Sequence, residues 1–152
     1  MQPSGPVRLD VLFPAEKILF FSSTNNREEI LRQLVQLAFP ALALQEVAAL
    51  AIQINKREDA VSTVLPTGIA LPHARVEGLK ELTAALALFH HPVSFSGGKE
   101  VRALLLFLSP ADPVFFSQHL QFLSICAQTF TTEFVRKLAS CHTSQEAASL
   151  FK

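Results

Sequence analysis

Thr83-Ala84-Ala85-Leu86-Ala87-Leu88-Phe89 and Val101-Arg102-Ala103-Leu104-Leu105-Leu106-Phe107-Leu108 are two apolar runs of strand length. Neither alternates between apolar and polar residues. Strands of that kind are buried on both faces, as in a sheet covered by helices. His90-His91-Pro92 and Gly97-Gly98 mark the connection between the two runs. Upstream, Ile18-Leu19-Phe20-Phe21 is a shorter run bounded by Ser22-Ser23-Thr24-Asn25-Asn26, a strand followed by a polar turn. That turn doubles as a helix start, with Asn25 or Asn26 as the cap and Glu28 or Glu29 three residues on. Ile30, Leu31, Leu34, Val35 and Ala38 follow at helical spacing until Pro40 stops the helix.

A second helix is predicted over residues 44–56, with Val47, Leu50, Ala51 and Ile54 on one face and Arg57 at its end. Residues 57–78 break the pattern with Pro66, Gly68, Pro72 and Gly78. Within them, Ile69-Ala70-Leu71 reads as a short strand ending at Pro72. Asp112-Pro113 is a helix start, Asp as cap and Pro at the first helical position, for a helix reaching to about residue 130. A short helix over 132–139 follows, and a last one begins at Thr143 with Glu146 three residues later. The order β-α-α-β-β-β-α-α-α describes one layered α/β domain. Residues 1–6 read as a loose N-terminal end.

Composition narrows the function classes. The chain has 152 residues, 49% of them hydrophobic and 17% charged, so it is neither disordered nor a polar tail. Thirteen basic and thirteen acidic residues cancel, which argues against a nucleic-acid binder or a polybasic membrane patch. No secretory signature precedes the domain, and the longest uncharged stretch, residues 113–132, is too polar to span a membrane. Two cysteines, Cys126 and Cys141, are too few for a disulfide scaffold, and a cytoplasmic setting is expected. Thirteen Phe without Tyr or Trp is packing volume. No CxxC, HExxH, GxGxxG or Walker A pattern exists, so neither a metal nor a nucleotide cofactor is expected.

His73 is the candidate for chemistry. It follows Pro72 at the end of a short strand, and Pro72 stiffens the chain on both sides. Neutral imidazole is a competent nucleophile near pH 7, and a phosphoryl group is a natural electrophile for it. The plain alternative is a surface-loop histidine. His119 has Phe115, Phe116, Phe122 and Leu123 three and four residues away, which puts it on the buried face of its helix. It is either a core histidine or a partner of His73 in one pocket. Arg57 is either a cation matched to a helix C-terminus or a planar donor for phosphate oxygens. Ser62-Thr63 could offer hydroxyls to the same group. Cys126 reads as packing; His90 and His91 point to opposite faces of a strand end and cannot both serve one metal, and His142, near a helix start, reads as a surface residue.

Gly68-Ile69-Ala70-Leu71-Pro72-His73, with Arg57 sixteen residues upstream and His119-Leu120 on a later helix, resembles the EIIA domains of the phosphoenolpyruvate-dependent phosphotransferase system. The resemblance is to the fructose/mannitol type, which includes the stand-alone nitrogen-regulatory proteins, and it covers residues 7–152. It implies a central mixed sheet with helices on both sides. It also implies that His73 receives a phosphoryl group from HPr or a nitrogen-type phosphocarrier protein. Arg57 and His119 would line the same pocket and hold phosphate oxygens. EIIB or regulated target proteins are the implied onward partners. The 152 residues hold no EIIB, membrane domain or linker, which is expected of the regulatory variant rather than the sugar-specific one. A binding module that kept the fold and lost transfer is the remaining alternative. Two departures stand out: Thr63-Val64-Leu65-Pro66-Thr67 where more glycine is expected, and Ala74 where glycine is expected.

Overall fold

The computed structural model describes residues 7–22 and 26–152. The loose end expected at residues 1–6 and the possible cap Asn25 lie outside the described residues. Of the two candidate caps, Asn26 does the work: its side chain accepts the Glu29 N–H at 2.8 Å.

A short helix α1 (Leu9–Leu12) leads into strand β1 (Ile18–Phe20), then helices α2 (Arg27–Ala38) and α3 (Leu44–Ala60). Strands β2 (Ile69–Ala70), β3 (His73–Val76), β4 (Thr83–Ser96) and β5 (Lys99–Pro110) follow, then helices α4 (Phe116–Thr129), α5 (Thr132–Ser140) and α6 (Ser144–Ser149). The two apolar runs that decide the fold are the central antiparallel pair β4 and β5. β1 lies parallel to β4 on one side, and β2 and β3 lie parallel to β5 on the other. The sheet is therefore mixed.

Each face of the sheet carries its own apolar layer. Leu104, Leu106 and Leu108 point toward α2 and α3, packing with Leu31, Leu34, Val35, Val47, Ala51 and Ile54. Ala103, Leu105 and Phe107 point the other way, toward Phe122, Cys126, Phe130, Val135 and Leu138 of the last helices. Burial on both sides is why neither run alternates. The expected sandwich of a mixed sheet between helical layers is the observed fold.

Three differences from the sequence reading have physical causes. β4 does not stop at Phe89 but runs through His90, His91 and Pro92 to Ser96, with its pairing irregular between Leu88 and Val93. Pro92 has no N–H to give, so the strand continues with its ladder broken there. The turn lies at Gly97-Gly98 alone, both with positive φ (61° and 71°), as a two-residue hairpin of the primed type demands. Helix α3 runs one turn further than predicted, to Ala60, so Arg57 lies within its last turn. The third difference is β3, which the sequence reading treats as loop.

β2 and β3 are one edge strand with a break. Ala70 pairs with Leu104 and His73 with Phe107, the same offset on either side of Leu71-Pro72. The register survives because the break adds no residue. Pro72 cannot donate, but its carbonyl still accepts the Phe107 N–H at 3.2 Å.

The β4–β5 hairpin tip is tied back to the helices. Arg27 donates to the Phe95 carbonyl at 2.7 Å and to Asn55 at 2.5 Å, and pairs with Asp59. This brace seats the tip against the end of α3.

The core makes a direct prediction. Leu104 is fully buried in the central strand. Leu104→Ala is expected to lower the free energy of unfolding by about 2–5 kcal/mol in urea melts, and a loss under ~1 kcal/mol would contradict the two-layer packing.

Candidate functional site

His73 is the first residue of β3, at the open edge of the sheet. Its strand parity puts it on the same face as Ile69 and Leu71, beneath α4. There its ring stacks on Phe107, centroids 4.7 Å apart and planes within 13°. His119 on α4 meets it edge-on, with ring centroids 5.3 Å apart at 63°. His119 also packs against Phe107 at 5.3 Å. Phe107 is thus a floor shared by both imidazoles.

Orientation comes from the break in the strand. His73 Nδ1 lies 2.8 Å from the Leu71 carbonyl oxygen. A carbonyl only accepts, so Nδ1 carries the proton and donates. In the neutral ring that leaves the lone pair on Nε2. Pro72 between the two residues holds the geometry, since its φ is fixed.

Arg57 approaches from the other helical layer. A cavity of about 300 Å³ opens between α3 and the edge strand, lined by Ile54, Arg57, Glu58, Val61, Thr63 and His73, among others. Arg57 is exposed and makes no hydrogen bond or ion pair among the described residues, so its donors remain free. His119 is not among the residues lining this cavity. It contacts the His73 ring from α4. Arg57 and His119 each lie beside His73, Arg57 along the cavity wall and His119 in ring contact, but the one pocket expected to be lined by both does not include His119.

Both histidines are held below the ordinary imidazole value of 6.5. For His73 the main cause is burial; the Leu71 carbonyl pulls the other way, Arg57 pushes down and Glu58 pulls up. For His119 burial leads, followed by His73, Arg75 and Arg57. Its Nδ1 is buried and without a hydrogen-bond partner. The site is therefore a pair of neutral imidazoles beside one uncommitted cation.

The sequence offers the Ser62 and Thr63 hydroxyls to the same phosphate group as Arg57. The structure commits both hydroxyls elsewhere. Thr63 Oγ1 donates to Glu58 at 2.8 Å and accepts the Leu71 N–H at 3.1 Å. Ser62 Oγ lies 2.8 Å from Ser96 Oγ, which itself donates to Glu58 at 2.5 Å. Since the Ser96 proton goes to Glu58, Ser62 is the donor in that pair.

Three further residues at the site were not singled out from the sequence. Glu58 is only 2% exposed and accepts from Thr63 twice and from Ser96. Its signal was present: it continues the buried stripe Val47, Ala51, Ile54 at helical spacing. Phe107 shows no sign of its role in composition. Arg75, two residues beyond His73 on the same face, is turned to structure through Nη2, while its buried Nε has no hydrogen-bond partner. It donates to the Pro110, Ala111 and Asp112 carbonyls and lies 5.3 Å from the Phe116 ring centre. Cys126 is core packing, and burial pushes its thiol up to about 12, which removes it as a nucleophile at neutral pH.

Fold and site together now meet known proteins. Residues 11–152 match the family model described as phosphoenolpyruvate-dependent sugar phosphotransferase system, EIIA 2. The chain belongs to that family. A curated relative is the PTS system fructose-specific EIIA component of Haloferax volcanii, 26% identical over 129 residues, covering 85% of this chain and 84% of that one. The nitrogen regulatory protein IIA-Ntr of Neisseria meningitidis shares the fold with a TM-score of 0.77 at 23% identity, over 95% of this chain and 99% of that chain. IIA mannitol of Escherichia coli does so with a TM-score of 0.69 at 18% identity, over 91% and 98%. Among the described residues no helix is long and apolar enough to cross a membrane.

The titration of the two rings follows from their burial. The unfolded chain takes up their protons first as pH falls, so stability declines from about pH 6.5 downward and these two groups leave it unchanged above that. Ring-proton NMR titration is expected to give midpoints below 6.5 for both His73 and His119. A midpoint at or above 6.5 for either ring would remove the argument for a neutral pair.

Proposed function

We propose that this chain is a phosphohistidine carrier in which His73 Nε2 accepts a phosphoryl group from a phosphorylated HPr-like protein. The observation that carries the proposal is the Leu71 carbonyl on Nδ1, 2.8 Å away, which leaves Nε2 as the nucleophile.

The step balances as a displacement in line. The Nε2 lone pair forms a bond to phosphorus, and the bond from phosphorus to the donor's imidazole nitrogen breaks, returning its pair to the donor. Charge spreads over three equatorial oxygens as this happens. Arg57, with free planar donors, is suited to hold them. The neutral His119 ring adds an N–H without the cost of placing a second buried cation beside His73. Phosphorylation makes the His73 ring more cationic, and the Leu71 carbonyl stabilises that form through Nδ1–H. Positioning and fixed donors supply the catalysis, with no covalent chemistry beyond the His73 nitrogen.

The first reading of its place is the regulatory, nitrogen-type branch, which rests on the sequence resemblance. There the phosphorylation state would alter binding to other proteins. The second is a sugar-specific EIIA passing the group to an EIIB, favoured by the fructose-specific relative.

Incubation with phosphoenolpyruvate, enzyme I and either HPr or a nitrogen-type phosphocarrier tests both points. One acid-labile phosphate is expected on the wild type and none on His73→Ala. Arg57→Ala is expected to slow labelling by about 10²-fold. His119→Ala is expected to slow it while leaving some. Labelling of His73→Ala at the wild-type rate would overturn the carrier assignment, and the preferred donor decides the branch.

A further inference from the structure

Glu58 is a carboxylate buried at the end of α3, and every polar group around it is a donor. Thr63 N–H reaches Oε2 at 2.7 Å, Thr63 Oγ1 reaches Oε1 at 2.8 Å, and Ser96 Oγ reaches Oε2 at 2.5 Å. Such a fully satisfied buried network specifies one geometry. One arm of it leads to the site. Thr63 Oγ1, with its proton given to Glu58, has lone pairs for the Leu71 N–H at 3.1 Å. Leu71 then presents its carbonyl to His73 Nδ1 at 2.8 Å. Leu71 sits at the break between β2 and β3, where its N–H has no place in the pairing with β5. Without Thr63 that buried N–H would be an orphan, and the peptide would turn to find water or another acceptor.

We propose that Glu58 and Thr63 are positioning residues that fix the tautomer of His73, acting through the two sides of Leu71. Glu58 orients the Thr63 hydroxyl, the hydroxyl pins the Leu71 N–H, and the pinned residue aims its carbonyl at Nδ1. The ring then keeps its proton on Nδ1 and its lone pair on Nε2. The second arm, through Ser96, ties the β4–β5 hairpin tip to the same carboxylate and serves stability. The consequence for transfer rests on His73 as the phosphoryl acceptor; the tautomer does not.

The test reads the tautomer of unphosphorylated His73 by long-range ¹H–¹⁵N correlation, alongside labelling rates. The wild type is expected to show a single Nδ1–H form. Thr63→Val, close in shape but without the hydroxyl, is expected to give a mixture of tautomers and labelling slower by about tenfold or more. Thr63→Ser is expected to restore both. Glu58→Ala is expected to behave as Thr63→Val; where it fails to fold, Thr63→Val carries the test alone. Ser96→Ala is expected to lower the melting temperature and leave the tautomer single. A single Nδ1–H form in Thr63→Val would overturn the proposal, and so would equal loosening by Ser96→Ala. A tautomer that shifts as expected in a protein that takes no phosphate would sink the carrier reading and leave the positioning role standing.

Discussion

The contact on which the site depends is the hydrogen bond from His73 Nδ1 to the carbonyl two residues before it. It exists because Leu71 lies on an edge strand at a position whose backbone groups face away from β5. In an unbroken strand the Leu71 carbonyl and N–H lie in the plane of the sheet and a side chain two residues on stands away from them. Gly68 and Pro72 give their carbonyls to the Arg102 and Phe107 N–H groups of β5, so the intervening parity leaves Leu71 facing the open edge with both backbone groups. Its N–H donates to Thr63 and its carbonyl accepts from His73 Nδ1. Pro72 fixes one torsion between that carbonyl and the ring, while Ala70 and His73 hold the same offset against β5.

The charges around this contact are sorted by what they are bound to. Arg75 has its guanidinium among three carbonyls at the start of α4 and cannot turn to a ligand without leaving them. Arg27 is occupied by Asn55, Asp59 and the hairpin tip. Glu58 is saturated by donors. Arg57, one residue away on the same helix turn, has no such partner among the described residues. Arg57, which makes no hydrogen bond or ion pair among the described residues, lies on the cavity wall. That asymmetry favours an anion there. The Arg57 charge also adds, as a lesser cause, to the burial that lowers both imidazoles.

The fold was legible in sequence because burial on both faces leaves an unmistakable mark. The runs at 83–89 and 101–108 read as strands covered by helices whose starts are marked by Asn25 or Asn26, Asp112 and Thr143; Asn26 and Thr143 cap their helices, and Asp112 caps the 3-10 turn Pro113–Phe115 that leads into α4. β3 was not legible. His-Ala-Arg-Val carries neither an apolar run nor alternation, and its pairing with β5 is a tertiary fact. His73 and His119 could be named from the motif and the helical face. The Thr63 hydroxyl was read as a possible ligand group because nothing local shows where a loop hydroxyl points. Glu58 was missed although Val47, Ala51 and Ile54 precede it on one stripe; an acid in a buried register is the pattern that marks it.

The two departures from the expected motif fall on the scaffold of the site and leave the imidazole face of His73 alone. Pro66 and Thr67 occupy a tight turn in which the Gly68 N–H donates to the Leu65 carbonyl at 3.0 Å. Gly68 itself adopts φ +93°, so the glycine that the turn requires is retained. The Leu65 N–H donates back to Ile69 at 2.8 Å, which closes the loop onto β2. Proline in such a turn reduces the freedom of the unfolded chain without touching a native bond it would need. Ala74 is fully buried among Ala70, Leu106 and Leu108, on the face opposite the His73 ring. Its methyl adds packing to the α2–α3 layer and stiffens β3 immediately after the imidazole. Both changes therefore act in one direction: they make the mount of His73 more rigid while Nε2, the Phe107 floor and the Arg57 donors stay as they are.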